Sequence, residues 1–335
     1  MRVQRMLGMV VVSAATMAGS SRAARGQSHM DPIVDLLAQN KPVFGVYRPS
    51  NPRAGRGGRA GDAPPPAPVA KKSESELAAD ALAYKTADYV FDGSMEGDFD
   101  AAFPVFKDFM AGLRAAGPAV DPSTHRMHHP VFIKTHLIAE NPTLAAGRIG
   151  KQLNTGVAGI VFVGVESADE VKTGLAAMRF KSNGGTRPDD IGDAAKFWGV
   201  SEKEYRDRAD LAPLNPKGEL TNWTIVESIE GLKHVREIAA VKGISVLFPG
   251  AGTLGGVFSK TDASGKRVRD DVAWEASIQQ VLAACKEFHV PCGFPANSPE
   301  VLDLRMKQGF SVFVINWGDQ GFKTVDFGLQ ASGRK

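Results

Sequence analysis

Lys134 and His136 stand two residues apart in the apolar and β-branched run Val131–His136, a spacing that puts both side chains on one face of a strand. A basic pair there could bind a carboxylate, and His136 could carry a proton near neutral pH. The plainer use of His136 is a hydrogen bond beneath a loop. Asp92, Glu96 and Asp98 place three carboxylates just after the run Tyr89–Phe91. They could hold a hard cation or act as bases, and they could equally cap a helix beginning near Asp100. The segment Phe248–Gly256 contains Gly250, Gly252, Gly255 and Gly256, with Thr253 among them. Its backbone amides could receive a carboxylate or phosphate at a helix N-terminus, although glycine also serves a tight turn. Asp319 adds an acid after the last apolar run, whereas Glu166 precedes Ser167, where helix capping is a sufficient use. His125, His128 and His129 invite a metal reading, but they cluster before a strand rather than after one.

These residues need elements to position them. Eight short runs read as strands: Pro42–Tyr47, Tyr89–Phe91, Val131–His136, Gly159–Gly164, Trp223–Glu227, Ile244–Pro249, Pro291–Pro295 and Val312–Asn316. Between them lie stretches with apolar residues at helical spacing, among them Ala101–Ala115, Thr143–Asn154, Ala168–Met178, Gly231–Val241, Asp271–Phe288 and Pro299–Gln308. Alternating strands and crossover helices specify a parallel sheet, and eight strands close it into a single-domain (β/α)₈ TIM barrel. The rival is an open doubly wound sheet, which lacks support because no G-x-G-x-x-G turn follows the first strand. In a barrel the chemistry sits at the C-terminal ends of the strands, which is where Asp92, Lys134, His136 and the glycine-rich loop fall.

With 335 residues, 43% of them hydrophobic and 23% charged, the chain can bury one large core. A formal charge of +3, with no Lys/Arg cluster interleaved with aromatics, argues against nucleic acid as a partner. Arg2 and Arg5 precede an apolar run from Met6 to about Gly19, too short to span a bilayer, and then small and polar residues. Residues 1 to about 26 therefore read as a secretory signal peptide, residues 27–335 as the barrel domain, and a periplasm-like compartment as the destination; an N-terminal anchor or a mis-assigned start is the alternative. A Gly/Pro-rich basic insertion at about 51–72 has almost nothing to bury and reads as disordered or loosely draped. Cys285 and Cys292 lack zinc-type partners; an oxidising compartment would permit a disulfide, and buried free thiols are the expected state.

Several segments resemble the HpcH/HpaI (2,4-dihydroxyhept-2-ene-1,7-dioate-type) aldolases. Val163–Val171 is similar to the family's V-P-M-V-E-S-A-E-E-A, and Ile225–Leu232 to Q-I-E-T-x-E-A. Val235–Ile244 resembles the helix that follows, with lesser matches at Leu37–Pro42 and Asp92-Gly93. The ordered set runs from Asp31 to about Asp319. The resemblance implies a class II pyruvate aldolase, a carbon–carbon lyase in which a divalent Mg or Mn ion chelates a 2-keto acid and stabilises its enolate. Its partners would be a keto acid and an aldehyde, and family members assemble as homo-oligomers. Glu227 is then the implied metal ligand, with Glu96 or Asp92 as a second carboxylate and His136 or Lys134 assisting charge stabilisation and proton transfer. Three family positions are changed: the second acidic ligand is Thr253, the acid–base histidine of D-G-E-H is Met95, and the arginine of the third strand aligns with His136. These changes leave open a small-carboxylate-binding protein that has lost the chemistry, or a different reaction such as hydration or thioester cleavage. Arg179-Phe180 resembles the family's R-Y, so the long segment Phe180–Leu220, with Trp198, Tyr205, Arg187, Arg206 and Arg208, is expected over the mouth of the barrel.

Overall fold

A computed structural model describes residues 29–51 and 70–335. Among the described residues the strands are β1 Val43–Tyr47, β2 Val90–Asp92, β3 Val131–Lys134, β4 Gly159–Phe162, β5 Thr221–Val226, β6 Val246–Pro249, β7 Ser259–Thr261, β8 Arg267–Arg269, β9 Gly293–Pro295 and β10 Val312–Ile315. Eight of them form one sheet in the order β6-β5-β4-β3-β2-β1-β10-β9, parallel throughout. A parallel bridge between Leu247 and Cys292 joins the two ends and closes the barrel. All eight expected strands are present within a few residues, and the (β/α)₈ reading holds. The antiparallel pair β7–β8 lies outside the barrel sheet and was not legible from periodicity, because its residues are mostly exposed and polar.

The interior is filled rather than hollow. Trp223 of β5 stacks on Phe132 at 4.3 Å between ring centroids, and Tyr89, Phe91 and Phe248 complete an aromatic plug. Helices form the outer ring, and several of their starts are capped by side chains. Ser73 and Glu76 make a reciprocal capping box for Glu74–Ala83. Asn141 caps Pro142–Leu153 and Ser298 caps Pro299–Gln308, each with proline in the first turn. The expected helix Gly231–Val241 is two short ones, Ile229–Lys233 and Val235–Ala239, broken at His234.

Two expectations are corrected. The segment between Phe180 and Leu220 lies at the N-terminal face of the barrel, away from the mouth. Trp198 Nε1 donates to the Gly156 carbonyl and Arg187 Nη2 to Asn154 Oδ1, both just ahead of β4, while Arg187 also donates to the Tyr205 hydroxyl. The reason is directional: a crossover helix runs back against its strand, so whatever follows Ala168–Met178 and precedes β5 begins and ends at the bottom. The cysteines are buried as expected but paired: Cys285 and Cys292 form a disulfide with Cα atoms 5.7 Å apart. The C-terminal end of helix Asp271–Phe288 turns straight into β9, which brings the two thiols within bonding geometry.

The expected signal peptide lies outside the described residues, as does most of the Gly/Pro-rich insertion. The base of that insertion is described: Asn51 Nδ2 donates to the Lys72 carbonyl and Lys72 N to Asn51 Oδ1, both at 2.8 Å. Among the described residues no helix is long and apolar enough to cross a membrane.

Candidate functional site

A cavity of about 430 Å³ opens at the C-terminal ends of the strands. Its floor is apolar, from Phe91, Val161, Ile225, Phe248, Phe294 and Val314. Its polar lining comes from Tyr47 at the end of β1, Lys134 at the end of β3, Glu227 after β5, and Gly250, Gly252 and Thr253 after β6. Asn297 follows β9, and Arg269 ends the hairpin. The strand-end rule thus brings together five of the expected residues: Lys134, Glu227, Gly250, Gly252 and Thr253.

Lys134 and Glu227 are held from behind. The Lys134 ammonium bonds Glu96 Oε2 at 2.7 Å, and Lys134 is the less exposed of the two. The Glu227 carboxylate is buried, and its Oε1 accepts the Gly164 amide at 2.9 Å. Gly164 has φ of 58°, a left-handed conformation that glycine adopts without strain. Gly250 is needed for space: a Cβ there would sit 2.3 Å from Glu227 Cβ and 2.5 Å from its Oε2. Burial pushes the Tyr47 hydroxyl above its ordinary range, with the Lys134 ammonium opposing and the Glu96 carboxylate reinforcing the shift. Tyr47 therefore remains a proton-bearing donor at neutral pH.

Other expected residues lie elsewhere. Asp92 is buried and paired with Arg48 Nε at 2.8 Å, while its Oδ1 accepts the Ser94 amide. It braces the turn after β2 rather than facing the cavity. Glu96 reaches the site only through Lys134. His136 Nδ1 donates to the Glu96 carbonyl at 2.9 Å, its Nε2 lies 2.8 Å from Glu140 Oε2, and the ring is outside the cavity lining. The cavity-facing residue of the third strand is therefore Lys134. Asp98 caps helix Phe99–Ala116, and Ser167 caps Ala168–Met178, with Glu166 accepting from the Ser228 hydroxyl. Asp319 is exposed at the start of helix Asp319–Ala331. His129 is buried against the Tyr84 carbonyl at 2.9 Å, and burial lowers its pKa. Met95 is fully buried beside Gln152, so no acid–base group occupies that position.

The residues do not fit the two-carboxylate ion site that the resemblance implies. Among the described residues Glu227 is the one carboxylate lining the cavity, and one of its oxygens is already bonded to Gly164. Thr253 offers a neutral hydroxyl, Asp92 is committed to Arg48, and Glu96 to Lys134. No cluster of three His, Cys, Asp or Glu side chains suited to a metal occurs among the described residues.

Four lining residues escaped the sequence reading. Tyr47 and Asn297 sit at or just past strand ends, where the same rule could have found them. Arg269 and Trp274 carry no such signal, because the hairpin that delivers Arg269 has no core-facing periodicity.

No family model matches the chain. Among curated proteins, a 2-dehydro-3,6-dideoxy-6-sulfogluconate aldolase of Pseudomonas putida is 25% identical over 177 residues, 53% of this chain and 62% of that protein. The alignment thus spans less than two thirds of that relative. An HpcH/HpaI aldolase/citrate lyase family protein from Burkholderia cenocepacia J2315 superposes with a TM-score of 0.60 at 19% identity, covering 91% of this chain and 97% of that one. An HpcH/HpaI aldolase from Desulfitobacterium hafniense DCB-2 gives 0.56 at 14% identity, covering 89% and 93%. The chain shares the barrel fold of these HpcH/HpaI proteins, and the resemblance to that family is borne out at the level of the fold and of the aldolase match.

Proposed function

We propose that this chain, a divergent member of the HpcH/HpaI aldolase family, is a carbon–carbon lyase of the aldolase type acting on a small 2-keto acid. The observation that carries the reading is the convergence of Lys134, Tyr47 and Glu227 over an apolar floor at the C-terminal mouth of the barrel. In cleavage of a 4-hydroxy-2-keto acid, the hydroxyl proton leaves to a base, the C3–C4 bond breaks, and its electron pair passes to the 2-carbonyl oxygen as an enolate. Protonation at C3 then gives the shorter keto acid, and the departing half leaves as an aldehyde. On this reading Glu227 takes the hydroxyl proton, and the Lys134 ammonium with the Tyr47 hydroxyl holds the enolate oxygen. The ion pair with Glu96 fixes the Lys134 ammonium before substrate arrives, so little reorganisation is needed as charge develops.

The test is release of the keto acid from a panel of 4-hydroxy-2-keto acids, with pyruvate binding followed by calorimetry on chelator-treated protein. Lys134→Met is expected to lower kcat/KM by about 10²- to 10³-fold, the usual loss when a preorganised oxyanion donor is removed. Absence of both turnover and keto-acid binding sinks the proposal. A second reading, a carboxylate-binding protein without turnover, is favoured by buried Met95 and by Thr253 in place of an acid; pyruvate binding with no cleavage of any panel member would select it.

Export is proposed alongside. The charged start and apolar run support it, as does the Cys285–Cys292 disulfide, since such bonds persist mainly in oxidising compartments.

A further inference from the structure

The connection after β6 puts out the hairpin β7–β8 before helix Asp271–Phe288 begins, and the last residue of β8, Arg269, returns to line the cavity. Its position is fixed by several contacts. Arg267 Nη2 donates to the Gly256 carbonyl at 2.7 Å, pinning the hairpin to the segment after β6. Trp274 Nε1 donates to the Ala251 carbonyl at 2.8 Å, which sets the indole. The Arg269 guanidinium lies 4.0 Å above that ring, and its Nε donates to Asp271 Oδ1 at 2.6 Å.

These contacts use one face and one nitrogen of the guanidinium. Nη1 and Nη2 make no hydrogen bond among the described residues, and neither does the amide of Asn297, which also lines the cavity. The partner Asp271 is mostly exposed, so its charge is screened and neutralises Arg269 weakly. A stacked, tethered guanidinium with its outer edge open is a preorganised fork for a carboxylate. The polar groups of the cavity therefore fall into two sets. Lys134, Tyr47 and Glu227 are buried or half-buried at strand ends, and Arg269 stands at the rim.

We infer that Arg269 is a specificity-determining residue that grips an anionic group at the end of the substrate remote from the keto acid. This rests on the keto-acid reading of the inner site, and the experiment separates the two. Affinities of the purified full chain for 2-ketoadipate and 2-ketohexanoate, which differ only in the terminal carboxylate, are compared by calorimetry. The diacid is expected to bind about 10-fold more tightly, the scale of one bidentate charge-assisted contact at a part-exposed site. In Arg269→Ala that ratio falls to about 1, the diacid losing more affinity than 2-ketohexanoate; in Arg269→Lys, a point charge without the fork, it is intermediate. Equal affinities in the unaltered protein, or a ratio that survives Arg269→Ala, overturn the inference and leave the keto-acid reading standing. Failure of either acid to bind overturns both.

Discussion

At the scale of single residues, the site depends on glycines as much as on charged groups. Gly250 has ordinary backbone angles, yet a methyl group there would push directly on Glu227. Gly250→Ala is therefore expected to lower pyruvate affinity at least about 10-fold by displacing the carboxylate, with a stability cost of about 1–3 kcal/mol as for other overpacked sites. Calorimetry and urea unfolding on the same preparation read the two effects apart. Asp92 presents the opposite case: its charge matters for structure. Removing it leaves the Arg48 guanidinium with Glu74 and the Phe109 ring as its remaining partners. Asp92→Ala should cost about 1–3 kcal/mol of unfolding free energy, the range for leaving a buried polar partner unsatisfied, because Glu74 still offsets the Arg48 charge. A loss below about 1 kcal/mol would place the pair in solvent-screened surroundings instead.

At the scale of elements, the seam of the barrel is the place to probe. The bridge Leu247–Cys292 joins β6 to β9, and the disulfide ties Cys292 back to helix Asp271–Phe288. The cross-link closes a short loop, so the chain-entropy argument assigns it about 2–3 kcal/mol. A Cys285→Ala, Cys292→Ala double variant, or the reduced protein, should lose that amount in urea unfolding measured without and with reductant. Unchanged stability on reduction would mean that packing alone closes the seam. The hairpin β7–β8 is the contrasting element: it adds little apolar burial, and its role is to carry Arg269 back to the rim.

At the scale of the whole molecule, the N-terminal face is organised by buried acids. The Asp31 amide bonds Glu219 Oε2 at 3.0 Å, and Asp31 Oδ1 caps helix Pro32–Ala38, while Asp31 Oδ2 is buried without a partner. Burial raises the Asp31 carboxyl well above its usual range, with Glu219 adding to the rise, and Glu219 is itself raised by burial. A raised carboxyl means the folded state holds its proton more tightly than the unfolded chain. Its contribution to stability is then greatest in acid and declines as pH rises through the folded value. Asp31→Asn keeps the cap and removes the charge, so it should raise the unfolding midpoint at pH 7, with the difference vanishing below about pH 4, where the unfolded aspartate also protonates. A gain that persists unchanged at low pH would assign the effect to packing. For export, mass spectrometry of protein from a periplasmic fraction should show cleavage near residue 26; an intact Met1 terminus would overturn that proposal.

Strand number, order and approximate limits were legible in the sequence because a parallel barrel strand is a short apolar run flanked by turn residues, and eight such runs admit few closures. The positions of Lys134, Glu227 and the Gly250–Thr253 loop followed, since they sit at strand ends on one rim. Which charged groups face the cavity and which are spent on one another was decided only by the tertiary structure. Asp92, Glu96 and Lys134 share one neighbourhood, and the pairings Arg48–Asp92 and Glu96–Lys134 join residues 38 to 44 positions apart, beyond any local periodicity. The same limit hid Arg269, whose place at the mouth depends on a stacked indole and two backbone carbonyls rather than on spacing. The face occupied by residues 180–220 followed from the antiparallel return of a crossover helix, a matter of chain direction that local resemblance cannot express.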